Sequence, residues 1–94
     1  MFRIVVRPLA AEQIRRLRRI DAVAILNAIE RHLRYEPDRV SRSRIKRLRG
    51  FNAATYRLRV GDFRIFYDVA EVEVVVIAVL HKRSTATFYQ EEAK

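Results

Sequence analysis

The sequence lacks cysteine and tryptophan and has only two histidines, two glycines and two prolines among its 94 residues. Without cysteine there can be no disulfide bonds and no zinc site built from thiolates. His32 and His81 are separated by about half the chain, so their spacing does not suggest a metal site either. We therefore expect no metal and no other cofactor. Repeats, linkers and low-complexity segments are also missing, and residues 1–94 are predicted to form one domain.

Long apolar runs are missing as well. No segment approaches the roughly 18 consecutive apolar residues that a membrane-spanning helix needs. Residues 1–7 are too few and too charged for the apolar region of a signal peptide. The expectation is a cytoplasmic protein with no membrane partner.

Acidic residues are few compared with basic ones. Twenty Lys and Arg face eleven Asp and Glu, which gives a formal charge of +9. Such an excess on a small domain favours a polyanionic partner, because each neutralised phosphate releases condensed counterions. A basic surface that only aids solubility is the alternative. Binding to a membrane surface is less favoured, because the basic residues fall in several segments rather than along one amphipathic helix.

Hydrophobic periodicity predicts a strand over residues 2–7 followed by two helices. Pro8 suits the first turn of the first helix, and Asp21 is predicted to cap the second, which must end before Pro37. His32, near the end of that helix, is expected to be partly exposed and favoured in its charged form by the helix dipole. The apolar stripes of the two helices are Leu9, Ala10, Ile14 and Leu17, then Ala22, Ile25, Leu26, Ile29 and Leu33.

The second half of the chain carries the β signals. After a polar loop over 36–44, strands are predicted at 45–49, 54–60, 63–69 and 72–80, with a final helix at 84–92 that Ser84 could cap. A turn at Gly61-Asp62 joins the second and third of these strands. The sequence thus predicts an α+β fold in which an N-terminal strand and a helical hairpin pack on an antiparallel meander.

The predicted hairpin separates an apolar face from a basic one. A turn at Gly61-Asp62 places Tyr56, Leu58, Val60, Phe63, Ile65 and Tyr67 on the face toward the helices. The opposite face carries Arg57, Arg59, Arg64 and Phe66, with Arg59 directly across from Arg64. Like charges opposed in a sheet are destabilising, so a bound anion would explain the pair. Two guanidinium groups that splay into water are the alternative.

The last strand predicts further members of the basic site. Simple alternation along residues 72–80 places Val75, Ile77 and Val79 on the face of Arg64, with His81 next. The cluster expected at this edge is Arg59, Arg64, His81, Lys82 and Arg83. It could hold a phosphate beside a titratable imidazole, which is sufficient for RNA cleavage by a 2′-hydroxyl. Further RNA contacts are expected from Lys46, Arg47, Arg49 and Arg57.

Several of these segments resemble one family. They are Arg47-Leu48-Arg49-Gly50, Tyr56-Arg57-Leu58-Arg59, Phe63-Arg64-Ile65-Phe66-Tyr67-Asp68-Val69, His81-Lys82-Arg83 and Phe88-Tyr89. Together with the order of elements, they are similar to the RelE/ParE toxins of bacterial toxin–antitoxin pairs. The resemblance covers nearly the whole chain, although no single motif is specific.

The resemblance implies an activity and a set of partners. RelE-like toxins cut messenger RNA in the ribosomal A site by 2′-hydroxyl attack without a metal. Their site residues correspond to Arg57, Arg59, Arg64, Arg83 and Tyr89 of this sequence. Arginine has replaced the two lysines of the family pattern, which leaves His81 or Tyr89 for proton transfer. ParE-like members instead inhibit DNA gyrase without catalysis. An acidic antitoxin is the expected protein partner in both cases, with messenger RNA and the ribosome, or gyrase, as target.

Overall fold

The computed structural model describes residues 1–50 and 53–86. The elements, in chain order, are β1 (Arg3–Val6), α1 (Pro8–Arg15), α2 (Arg19–Leu33), β2 (Ile45–Arg47), β3 (Tyr56–Val60), β4 (Phe63–Val69) and β5 (Glu73–His81). A 3₁₀ turn, Lys82–Ser84, follows β5. The rest of the predicted helix at 84–92 extends beyond residue 86, outside the described residues. The predicted α+β fold is confirmed.

All five strands form one mixed sheet in the order β1-β5-β4-β3-β2. The pairs β2–β3, β3–β4 and β4–β5 are antiparallel, as the predicted meander requires. β1 joins the sheet parallel to β5, with Ile4 opposite Val74. This parallel pair gives β5 a neighbour on each side, so its apolar run lies inside the sheet rather than at its edge.

The β3–β4 hairpin has the predicted register. Leu58 pairs with Ile65, Arg59 with Arg64 and Val60 with Phe63. Gly61, in the turn, has φ +57°, a backbone conformation that side-chain-bearing residues adopt with strain. The turn residue is therefore suited to its position, and the apolar and basic faces of the hairpin are those the sequence predicts.

The two helices pack on one face of this sheet. Ile14, Ile25 and Ile29 contribute to one buried cluster together with the strand residues Leu58, Ile65, Tyr67, Val74 and Val76. Leu9 and Leu26 were expected in the same stripe but are 57% and 45% exposed. The buried stripe on each helix is narrower than the periodicity suggests, because the sheet contacts only one side of each helix.

The start of α2 differs from the prediction. Arg18, with extended backbone geometry, occupies the N-cap, and Asp21 lies in the first turn. The Asp21 carboxylate accepts a hydrogen bond from Nε of Arg18 at 3.2 Å. An acidic side chain in the first turn stabilises the helix through the dipole even when it does not cap the backbone. Asp21 is thus a first-turn acid rather than a cap.

Tyr67 connects the loop after α2 to the core. Its hydroxyl donates a hydrogen bond to the Pro37 carbonyl at 2.5 Å, and its ring stacks on Tyr56 at 5.6 Å between centroids. Burial raises the pKa of Tyr67 above its ordinary value, with smaller contributions from Tyr56 and Asp38. The loop is therefore held against the sheet by a neutral, buried tyrosine.

A β-bulge interrupts the pairing of β4 with β5. Phe66 pairs with Ala78 whereas Tyr67 pairs with Val76, so Ile77 is one extra residue on β5. Beyond the bulge the alternation of β5 is reversed, and His81 lies opposite Phe63. The prediction that Val79 and His81 share the face of Arg64 is therefore wrong, because the apolar run gives no sign of the extra residue.

The face of the sheet away from the helices carries a second, smaller apolar cluster. Phe66, Ile77, Ala78 and Ala54 are buried there, with Leu48, Val75 and Leu80 packed around them. β5 is thus covered on both faces, as its nearly continuous apolar sequence predicts. This cluster also limits the basic surface of that face to the end formed by β2, β3 and the start of β4.

We expect Ile65→Ala to lower the free energy of unfolding by roughly 2–5 kcal/mol, because Ile65 is fully buried and the truncation leaves a cavity. Chemical denaturation followed by circular dichroism measures the effect. Ile20→Ala is the control, since Ile20 is 73% exposed and its truncation should change the stability by less than about 0.5 kcal/mol. Equal effects of the two variants would contradict the assignment of the core.

We expect Tyr67→Phe to cost about 1–3 kcal/mol, because it leaves the buried Pro37 carbonyl without its donor. The wild type should also lose stability as the pH rises above about 10, since the folded state favours the neutral phenol and the unfolded state does not. Tyr67→Phe should weaken that alkaline loss. Tyr35→Phe, at a 64% exposed position, should change neither quantity in the same denaturation series.

Candidate nucleic-acid interface

Four basic side chains of three neighbouring strands share the face of the sheet opposite the helices. Lys46 of β2 pairs with Arg57 of β3, and Arg59 of β3 pairs with Arg64 of β4. Residues paired across antiparallel strands point to the same side. The strand register alone therefore brings together four cations, including the opposed Arg59 and Arg64 that the sequence predicts.

These side chains line a cleft of about 300 Å³, which we call the arginine cleft. The loop before β2 forms its other wall. The lining residues are Ser41, Arg42, Ser43, Arg44, Ile45, Lys46, Arg57, Arg59 and Arg64. Within the described residues no carboxylate lines this cleft. An anion entering it would therefore meet positive charge and hydroxyl groups, and no negative charge from the described lining.

Backbone contacts fix both walls of the arginine cleft. The Arg59 amide donates to the Arg44 carbonyl at 2.8 Å, which ties the loop to β3. The Ser41 hydroxyl accepts from the amides of Arg44 and Ile45 at 3.1 and 3.3 Å. Nη1 of Arg64 donates to the carbonyls of Gly61 and Phe63, each at 2.9 Å. The guanidinium of Arg64 is thus held at the hairpin turn.

Arg57 is partly buried, whereas Lys46 and Arg59 are exposed. Its Nε is buried and has no hydrogen-bond acceptor among the described residues. Leaving a buried donor unsatisfied costs about 1–3 kcal/mol, and more for a charged group. A bound anion that draws the guanidinium toward the cleft would relieve that cost.

His81 lies outside the arginine cleft. Its ring meets that of Phe63 edge-on, with 5.5 Å between centroids, on the side of the sheet toward the helices. Nδ1 of His81 accepts a hydrogen bond from the Arg83 amide at 3.1 Å. The ring borders a different cleft, of about 430 Å³, between the start of α2 and the Gly61 turn. The predicted grouping of His81 with Arg59 and Arg64 is therefore wrong, because the bulge at Ile77 reverses the face.

Comparison with known proteins identifies the family. Residues 4–85 match the family model described as the ParE toxin of type II toxin–antitoxin systems, parDE. The chain belongs to this RelE/ParE toxin family. The predicted resemblance is thereby confirmed. A search of curated protein sequences finds no match.

Solved structures show the same fold in this toxin and in RelE proteins. It is 23% identical to a chain of the RelBE2 toxin–antitoxin complex from Mycobacterium tuberculosis, with TM-score 0.70 and coverage of 85% of this chain and 96% of that one. It is 20% identical to a chain of the archaeal RelE–RelB complex from Pyrococcus horikoshii, with TM-score 0.70 and coverage of 86% of this chain and 94% of that one. It is 19% identical to the free Escherichia coli RelE mutant, with TM-score 0.57 and coverage of 98% of this chain and 93% of that one. As a type II toxin, the protein has a cognate antitoxin as its partner.

The remaining predicted site residues lie at several places in the toxin. Lys82 contacts the hairpin turn, with Nζ 3.4 Å from the Asp62 carboxylate and its amide 2.7 Å from the Asp62 carbonyl. Arg83 is exposed in the 3₁₀ turn. Neither residue lines the arginine cleft, although both follow the end of β5 as predicted. Tyr89 lies outside the described residues.

The basic residues in and around β2 are likewise divided between the arginine cleft and other parts of the surface. Lys46 points into the arginine cleft, whereas Arg47 pairs with Tyr56 and so shares the opposite face. Arg49 is exposed beyond the end of β2. Arg42 and Arg44 line the cleft, but the sequence patterns did not assign them to it. The density of arginine before β2 was the only signal, because a loop has no period from which its side-chain directions can be deduced.

No group of three or more histidine or acidic side chains suited to a metal ion occurs within residues 1–50 and 53–86. Over the same residues, no helix has the length and apolar character needed to cross a membrane.

We expect Arg59→Thr to stabilise the toxin by about 0.2–1 kcal/mol at low salt, because it removes one of two opposed charges and threonine suits a strand. The gain should shrink in high salt, which screens the repulsion. Thermal or chemical denaturation at two salt concentrations measures both effects. Arg47→Thr is the control, since Arg47 faces Tyr56 and not a cation. A gain that does not depend on salt would show that repulsion is not its cause.

Proposed function

We propose that this toxin is a ribosome-associated endoribonuclease that cleaves messenger RNA in the cytoplasm without a metal ion. The observation that carries the proposal is the arginine cleft, where Lys46, Arg57, Arg59 and Arg64 converge from three strands. A cleft of this composition suits the scissile phosphate and the adjoining RNA backbone. The membership of the RelE/ParE family and the RelE-like fold support the same activity.

The arginines would bind the phosphate and stabilise the transition state. A guanidinium can donate two parallel hydrogen bonds to phosphate oxygens, which fixes both the position and the orientation of the group. Cleavage by the 2′-oxygen adds negative charge to the phosphate as the new bond to phosphorus forms. Donors that are already in place where this charge develops lower the barrier most. Arg59 and Arg64, held by strand pairing and by the turn carbonyls, meet that condition.

The reaction also needs two proton transfers. The 2′-hydroxyl passes its proton to a water molecule as its oxygen bonds to phosphorus, and the 5′-oxygen gains a proton as its bond to phosphorus breaks, leaving a 2′,3′-cyclic phosphate and a 5′-hydroxyl. Arginine holds its protons too strongly to donate them. Lys46 carries the only ammonium group among the described residues of the cleft, and we assign it to the 5′-oxygen. Arg83 and Tyr89 are assigned to the site by the family resemblance.

Inhibition of DNA gyrase by a protein–protein contact is the second candidate. One observation favours it: the described lining of the arginine cleft contains neither a carboxylate nor an imidazole, and His81 faces away. A cleft rich in arginine can bind an anion without cleaving it. The match to the ParE toxin model fits this reading too.

The antitoxin is proposed to be acidic and to cover the same surface. A formal charge of +9 attracts an acidic segment from a distance and speeds its association. We place Glu or Asp side chains of an antitoxin helix or added strand beside Arg59 or Arg64. Neutralisation of the toxin would then follow from occupation of the arginine cleft.

We expect Arg64→Ala to lower the rate of messenger-RNA cleavage on programmed ribosomes by about 10²–10³-fold, the scale for losing one preorganised donor. Lys46→Gln should lower it by roughly 10²–10⁴-fold, as for the loss of a general acid. Arg59→Lys should keep part of the activity, because it retains the charge. Purified wild type and variants are compared by mapping the cut ends of the message.

His81→Ala is the matched control, since His81 lies on the other face and its loss should leave the rate nearly unchanged. A wild type that cuts no messenger RNA but blocks gyrase supercoiling would replace the first candidate with the second. If His81→Ala is as damaging as Lys46→Gln, the assignment of the proton donor is wrong.

A further inference from the structure

A second basic cleft lies where α2 ends, and we call it the helix-end cleft. It has a volume of about 280 Å³ between the last turn of α2 and the loop before β2. Its lining residues are Arg31, His32, Tyr35, Glu36, Arg39, Ser41, Arg44 and Ile45. Ser41, Arg44 and Ile45 line the arginine cleft as well. The two clefts are therefore neighbours that share one wall.

The helix-end cleft has an excess of positive charge. Glu36 is its only acidic lining residue, and its carboxylate pairs with Arg39 at 2.8 Å. Arg31 and Arg44 form no ion pair with any carboxylate within residues 1–50 and 53–86. Glu30, the neighbour of Arg31, is bound instead by Arg34. Two guanidinium groups from different segments are thus left to attract one anion.

Tyr35 adds an aromatic surface to this charge. Its side chain is 64% exposed although it lines the cleft, so its ring contributes little to the core. Exposed aromatic rings beside a positively charged groove are how proteins bind single-stranded nucleic acid, because every base can stack on a ring. A carboxylate side chain of a protein would use the guanidinium groups but not the ring.

We propose that the helix-end cleft is a nucleotide-binding subsite for single-stranded RNA, in which Arg31 and Arg44 hold a backbone phosphate and Tyr35 stacks on the adjoining base. Because Arg44 also lines the arginine cleft, one strand can pass from this subsite into the arginine cleft. The subsite rests on the proposed function in that its ligand is RNA. It does not depend on cleavage, and it sets which nucleotides flank the cleaved position.

His32 gives the subsite a dependence on pH. Burial lowers the pKa of His32, and the charges of Arg44 and Arg31 lower it further. This direction is opposite to that expected from the helix dipole alone. Tyr35 and Glu36 after the helix, with Arg39 of the loop, are the other ionisable groups around the cleft. A phosphate placed beside Arg31 and Arg44 offsets their repulsion and favours the imidazolium, so binding takes up a proton.

The direct test is binding of a fluorescein-labelled, single-stranded decamer of 2′-O-methyl RNA, which has no free 2′-hydroxyl and is not cleaved. Fluorescence anisotropy gives the dissociation constant at several salt concentrations. The double variant Arg31→Ala/Arg44→Ala should make the plot of log K against log salt less steep by about 0.7, the value for one phosphate contact on a single strand. Arg31→Ala and Arg44→Ala should each reduce the slope by part of that amount. Tyr35→Ala should weaken binding by about 5- to 150-fold, the range for one stacked base.

Two control variants accompany these measurements. Tyr35→Phe keeps the ring and should bind as the wild type does. Arg19→Ala removes an exposed arginine at the other end of α2 and should leave the salt dependence unchanged. If Arg31→Ala, Arg44→Ala and Tyr35→Ala all bind like the wild type, the subsite is overturned. An oligoglutamate decamer that binds as tightly, with the same loss in Tyr35→Ala, would overturn the assignment to RNA.

The proposed function is tested separately by the ribosomal cleavage assay. Variants that cut messenger RNA on ribosomes but bind the decamer like the wild type would overturn the subsite and leave the nuclease standing. Weakened decamer binding by a toxin that cuts nothing would support the subsite and overturn the nuclease.

The test of proton uptake compares the wild type with His32→Gln between pH 5.5 and 8. In the wild type the affinity should rise as the pH falls through the pKa of His32 in the complex and level off below its lowered pKa in the free toxin. His32→Gln should show a smaller rise over this range, because the imidazole beside Arg31 and Arg44 is then absent. Equal pH dependence of the two proteins would remove His32 from the subsite.

Discussion

The pairing of β3 with β4 decides which side chains form the core and which form the arginine cleft. A slip of one residue would place Arg57 and Arg59 against the helices and expose Leu58. Two contributions to the free energy of this hairpin oppose each other, namely burial of apolar side chains and repulsion between arginines. Burial of an isoleucine or leucine is worth about 1.5–3 kcal/mol, and Leu58 and Ile65 are both fully buried. Repulsion between Arg59 and Arg64 costs about 1 kcal/mol or less. Burial of the core residues therefore fixes the register, and the two arginines remain opposed in spite of their repulsion.

Local patterns in the sequence predict the β3–β4 hairpin but not the features that depend on distant residues. The alternation in β3 and β4, and the Gly61 turn between them, gave the register, the two faces and the opposed arginines, since each is a local property of the chain. The bulge at Ile77 could not be predicted, because every residue around it is apolar and either face accepts it. The parallel pairing of β1 with β5 depends on distant residues, as does the position of Arg44 against β3.

The pairing of the acidic residues explains why the charge of the arginine cleft is not neutralised. Glu12, Glu30 and Glu36 pair with arginines three or four positions away. Asp21 and Asp62 pair with Arg18 and Lys82, which also lie outside the arginine cleft. Each pair is exposed and contributes little to stability. Together, however, they keep these carboxylates away from the arginine cleft, whose described lining contains no acidic side chain. A polyanion approaching the toxin is thereby oriented before it makes contact.

The bulge at Ile77 also has an evolutionary consequence. Because Ile77 is an extra residue between two regular stretches of pairing, its deletion would restore an unbroken ladder and leave Leu80 and His81 on the faces they now occupy. Relatives can therefore differ in length by one residue here without any rearrangement of the sheet. An alignment that ignores this point would shift every position after β5 by one, and with it the tyrosine that is matched to Tyr89.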